Sequence, residues 1–432
     1  MSPGPAHVRF LRERLWLASA MWVPVLAANV VAVVLALALP VLDDHLGEGV
    51  SSPIAAAAAQ QIFGALAAGM ITFTGIIFSA VFVAAQIQTS SYSPRLAARL
   101  RRDPVVIAGL ALPTATATYA LFALAAIGGH SDRTGRDFVP IATVIFGLVL
   151  LVVTLGAFVA LVQRAFELTQ IGGIFRGVMR RAGAVIDDVH PLGAQHAGNV
   201  PGNALDAGAA VVTHEGPAAV LAAIDRAALV RLASETGGFV EVIPMVGQYL
   251  APGAPTLRIH GGRSTPDPAH ARRVVVLARQ RTIDQDPAFV LRMLVDIAIR
   301  ALSPAVNDPT TAVQALDRIE GLLVELYRRA PGPAFVFDTD RVAIGRVPAP
   351  NWTEYLELGL TEIRHYGASS AQVGRRLHAL YDHLAAEIDE AARPRVELER
   401  RLLDEALARF FPDPEEQAIV GRPDRLGLGT VD

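Results

Sequence analysis

The chain is 432 residues long, enough for two or three domains, and only 18% of it is charged while 52% is hydrophobic. Its formal net charge of −3 gives no reason to expect an acidic or basic partner, and nucleic acid is not suggested. It contains no Cys, and all 38 basic residues are Arg, which excludes disulfides, thiolate metal sites and thiol nucleophiles as well as lysine Schiff bases, P-loop lysines and lysine-tethered lipoyl or biotin groups.

Charged residues are nearly absent from the hydrophobic blocks before Arg164 and dense after it. This predicts a membrane half followed by a soluble half. Arg9, Arg12 and Arg14 precede an uncharged run from Leu15 to Leu42, longer than the apolar core of a signal peptide and ending at Pro40 and an acidic loop. It reads as a retained first span over about 17–40, with Trp16 and Trp22 near an interface.

The second span, about 56–88, lies in the stretch Ile54–Pro94, which has no charged residue. Steps of four and three from Gln61 give Gln61, Ala65, Ala68, Thr72, Gly75, Ser79, Phe82 and Gln86 on one side of a helix, small or polar at nearly every turn. A third span, about 105–128, is interrupted by Pro113 and carries Thr114, Thr116 and Thr118; a fourth, about 139–163, is almost wholly aliphatic. Arginines cluster in the N-terminal tail, at Arg95, Arg99, Arg101 and Arg102, and at Arg164, Arg176, Arg180 and Arg181, whereas the loop 41–53 has none and the loop 128–138 only Arg133 and Arg136. By the excess of positive charge on cytoplasmic loops, both termini and the soluble half belong in the cytoplasm of a bacterial inner-membrane protein.

Residues 165–203 read as an amphipathic connecting helix and a Gly, Pro and His-rich linker. Short strands are expected near 209–213 and 218–224, a helix from the cap Asp225, and a small β-rich module over 204–280 whose segment GFVEVIPMVGQYLAPGAPTLRIHGG resembles the hairpin of a barrel-sandwich, biotinyl-lipoyl-like module. With no lysine to carry a prosthetic group, only a scaffold or docking role remains. In the helical part, 281–412, Asp286-Pro287 and Asp308-Pro309 each place a capping carboxylate before a proline at the first helical position. A hairpin is expected over 335–347, more helix over 352–411, and a disordered tail over 413–432.

The pairing of FSAVFVAAQIQTSSYSPRLAARLRRDP with RTIDQDPAFVLRMLVDIAIRALSPAVNDPTTAVQALDRI resembles an uncharacterised bacterial family of predicted membrane proteins, domain-of-unknown-function family 2254, over nearly the whole chain. The resemblance implies an integral membrane protein with a cytoplasmic domain and supplies no catalytic residue. The fold expected is therefore an α-helical membrane protein: four transmembrane helices followed by a cytoplasmic α+β domain with a small β module and a helical C-terminal part.

Three groups of residues are candidates for function. The stripe Gln61, Thr72, Gly75, Ser79, Phe82 and Gln86 is either a helix-packing face or, in a homo-oligomer, the wall of a water-filled path for a small solute or ion, with Phe82 as an apolar constriction. The basic cluster Arg95, Arg99, Arg101 and Arg102 either sets topology or meets anionic lipid headgroups. Arg292, Asp296 and Arg300, four apart on one helix, form a surface ion ladder or, with Asn307 and Asp308, hold a ligand or neighbouring subunit; the last two also fit a turn and a cap. No membrane-embedded carboxylate or arginine suggests a proton relay. The pairs His190 with His196 and His378 with His383 lack metal-site spacing, no nucleophile elbow or phosphate loop occurs, and no cofactor, metal or enzymatic activity is expected. A homo-oligomeric channel or transport-type protein is one reading; a membrane-anchored ligand-binding, signalling or scaffold module is the other.

Overall fold

The computed structural model describes residues 22–46, 55–91, 103–129, 139–192, 209–264, 267–338 and 342–422. The basic cluster at Arg95, Arg99, Arg101 and Arg102, the N-terminal arginines and most of the loops that set topology lie outside the described residues. The chain forms two compact units, one over Trp16–Ile174 and the other from Phe175 onward.

The first unit holds four helices long and apolar enough to cross a membrane: α1 (Trp22–Leu46), α2 (Ala56–Ser91), α3 (Pro104–Gly129) and α4 (Ile141–Thr169). The core among them is built from α1 (Ala32, Ala36), α2 (Ala59, Phe63, Leu66, Met70), α3 (Tyr119, Ala120, Ala123) and α4 (Val144). Helix α3 is the most enclosed, 56% of its apolar window being buried against 17–22% for the others. The sequence marks an interruption at Pro113, yet α3 runs through it unbroken. Pro113 offers no N–H to the Gly109 carbonyl; just beyond that carbonyl, Thr114 Oγ1 donates to the carbonyls of Leu110 (3.1 Å) and Ala111 (2.9 Å), and Thr116 Oγ1 to Leu112 (2.7 Å).

Gln170 ends α4 in an extended conformation, and α5 (Ile171–Val189) follows at once. The second unit then alternates strand and helix: β1 (Ala209–Thr213), β2 (Ala219–Ile224), α6 (Arg226–Thr236), β3 (Phe239–Val242), β4 (Tyr249–Leu250), β5 (Pro255–His260), α7 (Pro268–Ala271) and β6 (Val275–Ala278). Helices α8 (Pro287–Ala301) and α9 (Pro309–Arg328) precede β7 (Ala334–Phe337) and β8 (Ala343–Val347), and α10 (Trp352–Gly367), α11 (Ala371–Glu387), α12 (Arg393–Phe410) and α13 (Pro414–Val420) complete it.

The strands form two sheets, ordered β1-β5-β3-β8-β7 and β4-β2-β6. The first is antiparallel except between β3 and β8, where Val240 faces Gly345 in parallel register. Gly345 is required there: a Cβ would stand 2.5 Å from Leu229 Cδ2 and 2.8 Å from the Val240 carbonyl. The late hairpin β7–β8 therefore extends the sheet begun at β1, and strands from both sides of residue 280 share one core of Leu221, Leu229, Leu232, Val240, Leu257, Ile259 and Val347. The piece compared with a barrel-sandwich hairpin is divided between the two sheets, β3 and β5 in one and β4 in the other.

The helix starts follow the sequence signals. Asp225, Asp286 and Asp308 accept from the amides of Ala228, Phe289 and Thr311 at 2.9, 2.9 and 3.1 Å. The expectation of disorder beyond Pro412 is corrected over 414–420: Asp413-Pro414 repeats the same cap, Asp413 accepting from Glu415 and Glu416, and Val420 is buried.

Candidate functional site

Every member of the α2 stripe, from Gln61 through Ala65, Ala68, Thr72, Gly75, Ser79 and Phe82 to Gln86, is exposed. The buried side of the same helix runs Ala59, Phe63, Leu66, Met70, Ile77 and Ala84. That row is the stripe displaced by two residues, or about 200° around a helix of 3.6 residues per turn. The small and polar face thus points directly away from the face that packs on the other spans of its own chain.

Added Cβ atoms at Gly64, Gly69 and Gly75 would meet nothing within 4 Å. Gln61, Ser79 and Gln86 make no side-chain hydrogen bond with a described residue, while Thr72 Oγ1 donates to the Ala68 carbonyl at 3.1 Å. Phe82 is 62% exposed and is flanked by exposed Phe78 and Val83. The apolar segment Ala56–Gln86 is 31 residues long, about 46 Å of helix against a hydrocarbon core of about 30 Å. Gln61 and Gln86 stand roughly 37 Å apart along the helix, enough to bracket such a core, and Thr72, Gly75 and Ser79 lie between them.

Other polar groups of this unit are used internally. Asn29, within the apolar part of α1, donates from Nδ2 to Thr114 Oγ1 (3.0 Å) and accepts at Oδ1 from Thr118 Oγ1 (2.6 Å). Thr116 and Thr154 hydroxyls share a buried hydrogen bond of 2.7 Å between α3 and α4. Tyr119 donates to the Thr143 carbonyl at 2.9 Å, and Arg164 pairs with Asp103 at 2.7 Å. Asn29, which bonds Thr114 and Thr118, is the lone amide in an otherwise apolar run from Trp22 to Leu42.

The candidates in the second unit hold helices and turns in place. Arg292 donates to Asp296 at 2.9 Å and forks onto Glu362 of α10, one of its two contacts measuring 2.9 Å. Both the pairing with Asp296 and the bond to Glu362 raise the Arg292 pKa, the Glu362 bond most. Arg300 lies in the last turn of α8. Asn307 adopts a left-handed φ of 47° in the turn between α8 and α9, and Asp308 takes both the amide and, at 2.6 Å, the hydroxyl of Thr311. The bond to Glu362, 70 residues away, had no local signal in the sequence.

Compared with known proteins, residues 18–383 match the model of a family described as predicted membrane protein (DUF2254). The chain is similar to the uncharacterized proteins Rv1290c of Mycobacterium tuberculosis and Mb1321c of Mycobacterium bovis, each 29% identical over 380 residues, or 84% of this chain and 70% of the relative. No solved structure matches the chain.

Proposed function

From the premise that this chain belongs to the DUF2254 family of predicted membrane proteins, we propose that it is a homo-oligomeric channel or transport-type protein in which α2 helices of several copies line a path for a small solute or ion. The observation that carries this reading is the exposure of the entire α2 stripe opposite the helix's packing face. Packing within the chain leaves these residues unused, and small residues let helices of separate copies approach closely. Thr72 and Ser79 then supply hydroxyls between Gln61 and Gln86, and Phe82 an apolar constriction.

The location proposed is the bacterial inner membrane, with the second unit and both termini in the cytoplasm. Support comes from the exposed arginines Arg176, Arg180 and Arg181 shortly after α4 and from the arginine-poor loops on the opposite side of the spans.

A chain without native cysteine makes the test direct. Single Thr72→Cys and Ser79→Cys variants in the assembled protein are expected to react with a water-soluble maleimide, with Gln86→Cys as the accessible reference at the helix end. Protection of both central positions removes the aqueous path. A second reading, in which the spans tether a binding or signalling module, is favoured by the separate core of the second unit. Liposomes holding purified protein divide the two: ion or solute flux supports the first, and its absence alongside retained ligand binding supports the second.

A further inference from the structure

A small cleft, open to solvent, lies where the end of α5, the start of α6, the loop before α8 and the segment after β8 converge. Its walls are largely apolar, including Val189, Ile224, Val246, Val347 and Pro348. A mostly apolar lining with a few polar groups suits part of a small organic ligand.

Its buried floor is electrically balanced. Asp286, 2% exposed, is forked by Arg281 at 2.6 and 3.0 Å, and the Tyr355 hydroxyl meets His190 Nε2 at 3.0 Å. Gly247 closes over this floor with φ 89°, and a Cβ there would stand 2.4 Å from both Arg281 Nε and Asp286 Oδ2.

Two charges of the lining remain uncompensated. Asp188 and Arg226 are half-buried, and neither makes an ion pair or side-chain hydrogen bond with a described residue. Asp187, its neighbour, is paired with Arg329 at 2.7 Å. Asp188 is the penultimate residue of α5, and Arg226 is the first of α6. Each charge thus sits at the helix end whose dipole has the same sign, an arrangement that costs stability unless an opposite charge arrives. Asp225 caps the Ala228 amide of α6 and offsets part of that field at the Arg226 end. Gln285 accepts the Ile224 amide at 2.9 Å through Oε1, which leaves its NH2 as a further donor beside Arg226.

We propose that this cleft binds a small zwitterion of the α-amino-acid class, with its ammonium at Asp188, its carboxylate at Arg226 and the Gln285 amide, and its side chain against Val246 and Val347. The binding is independent of whether the spans conduct, and it is read without any flux measurement.

The test uses the intact, detergent-solubilised protein, with the common L-α-amino acids at millimolar concentration as probes and melting temperature as the first readout. At least one is expected to raise the melting temperature saturably. Its decarboxylated amine and its deaminated acid, carrying one charge each, are expected to bind at least about tenfold more weakly, as are the Asp188→Asn and Arg226→Gln variants to the amino acid itself. Without ligand both variants are expected to melt at or above the wild-type temperature, because each removes an unfavourable helix-end charge. The assignment is overturned if no amino acid shifts the melt, if a one-charge analogue binds as tightly, if affinity survives both substitutions, or if either variant melts lower without ligand.

Discussion

His378 of α11 has a buried ring, 3% exposed, and its nearest carboxylate is Asp404, 3.4 Å from Nε2. Burial lowers its pKa below the ordinary histidine value; Asp404 and Asp382 pull upward and Arg400 pushes down. As pH falls through about 6.5, the unfolded chain takes up a proton before the folded one does. The stability His378 provides is therefore complete above that pH and lost below it, by up to about 1.4 kcal/mol for each pH unit between the two pKa values. Trp352, buried with its indole donating to the Leu323 carbonyl at 3.1 Å, reports melting of this unit. In a background with Trp16 and Trp22 changed to Phe, the wild-type melt is expected to drop more than that of His378→Leu between about pH 7.5 and 5.5. Equal drops would show that His378 protonates freely in the folded chain. At this scale the sequence disclosed what is local. Asp286 and Asp308 announced their caps through the proline that follows, and Asp413-Pro414 carried the same message inside a segment whose polarity masked it. Partners far along the chain, such as Glu362 for Arg292 or Tyr355 for His190, had no such neighbour to betray them.

Helix α2 shows the same limit one level up. Its stripe was legible as a periodic pattern, because small and polar residues recur every three or four positions; which side faces the other spans depends on where Phe63, Leu66 and Met70 find complementary surfaces, and that is tertiary information. The glycines divide accordingly. A Cβ on Gly109 of α3 would lie 2.7 Å from Leu161 Cδ2, and one on Gly147 of α4 would lie 2.7 Å from Phe63 Cε1, whereas at Gly75 it meets nothing within 4 Å. Gly109→Ala and Gly147→Ala are expected to destabilise the spanning unit by about 1–3 kcal/mol, the usual cost of overpacking. Gly75→Leu is expected to leave that unit's melt unchanged and to reduce the assembled mass measured by light scattering in detergent. An unchanged mass would place the stripe against lipid and remove α2 from any interface between copies. Burial of these tight glycines inside long apolar runs gave no sign in the sequence, because an apolar helix can present any face inward.

For the whole molecule, the decisive question is which unit the helix between them serves. The pattern over 165–203 is that of a connector, and α5 follows α4 after a single residue, Gln170. Its apolar side, Phe175, Val178, Ala182, Val185 and Ile186, is buried. Its contacts reach the helical part of the second unit: Arg318 of α9 lies 5.5 Å over the Phe175 ring, Arg329 pairs with Asp187, and His190 bonds Tyr355 of α10. Burying a side chain such as Phe, Val or Ile is worth about 1.5–3 kcal/mol, so three of them rival the whole net stability of an ordinary domain, about 5–15 kcal/mol. A fragment from Ile171 to Arg422 is therefore expected to be soluble, with the blue-shifted Trp352 emission of a buried indole. A fragment beginning at Ala209, which lacks α5, is expected to aggregate or to emit like exposed tryptophan. If the shorter fragment folds as well as the longer one, α5 is only a connector and the second unit owes its stability to the sheets and later helices alone; if neither folds, the unit requires the spans, and the tethered-module reading loses its basis.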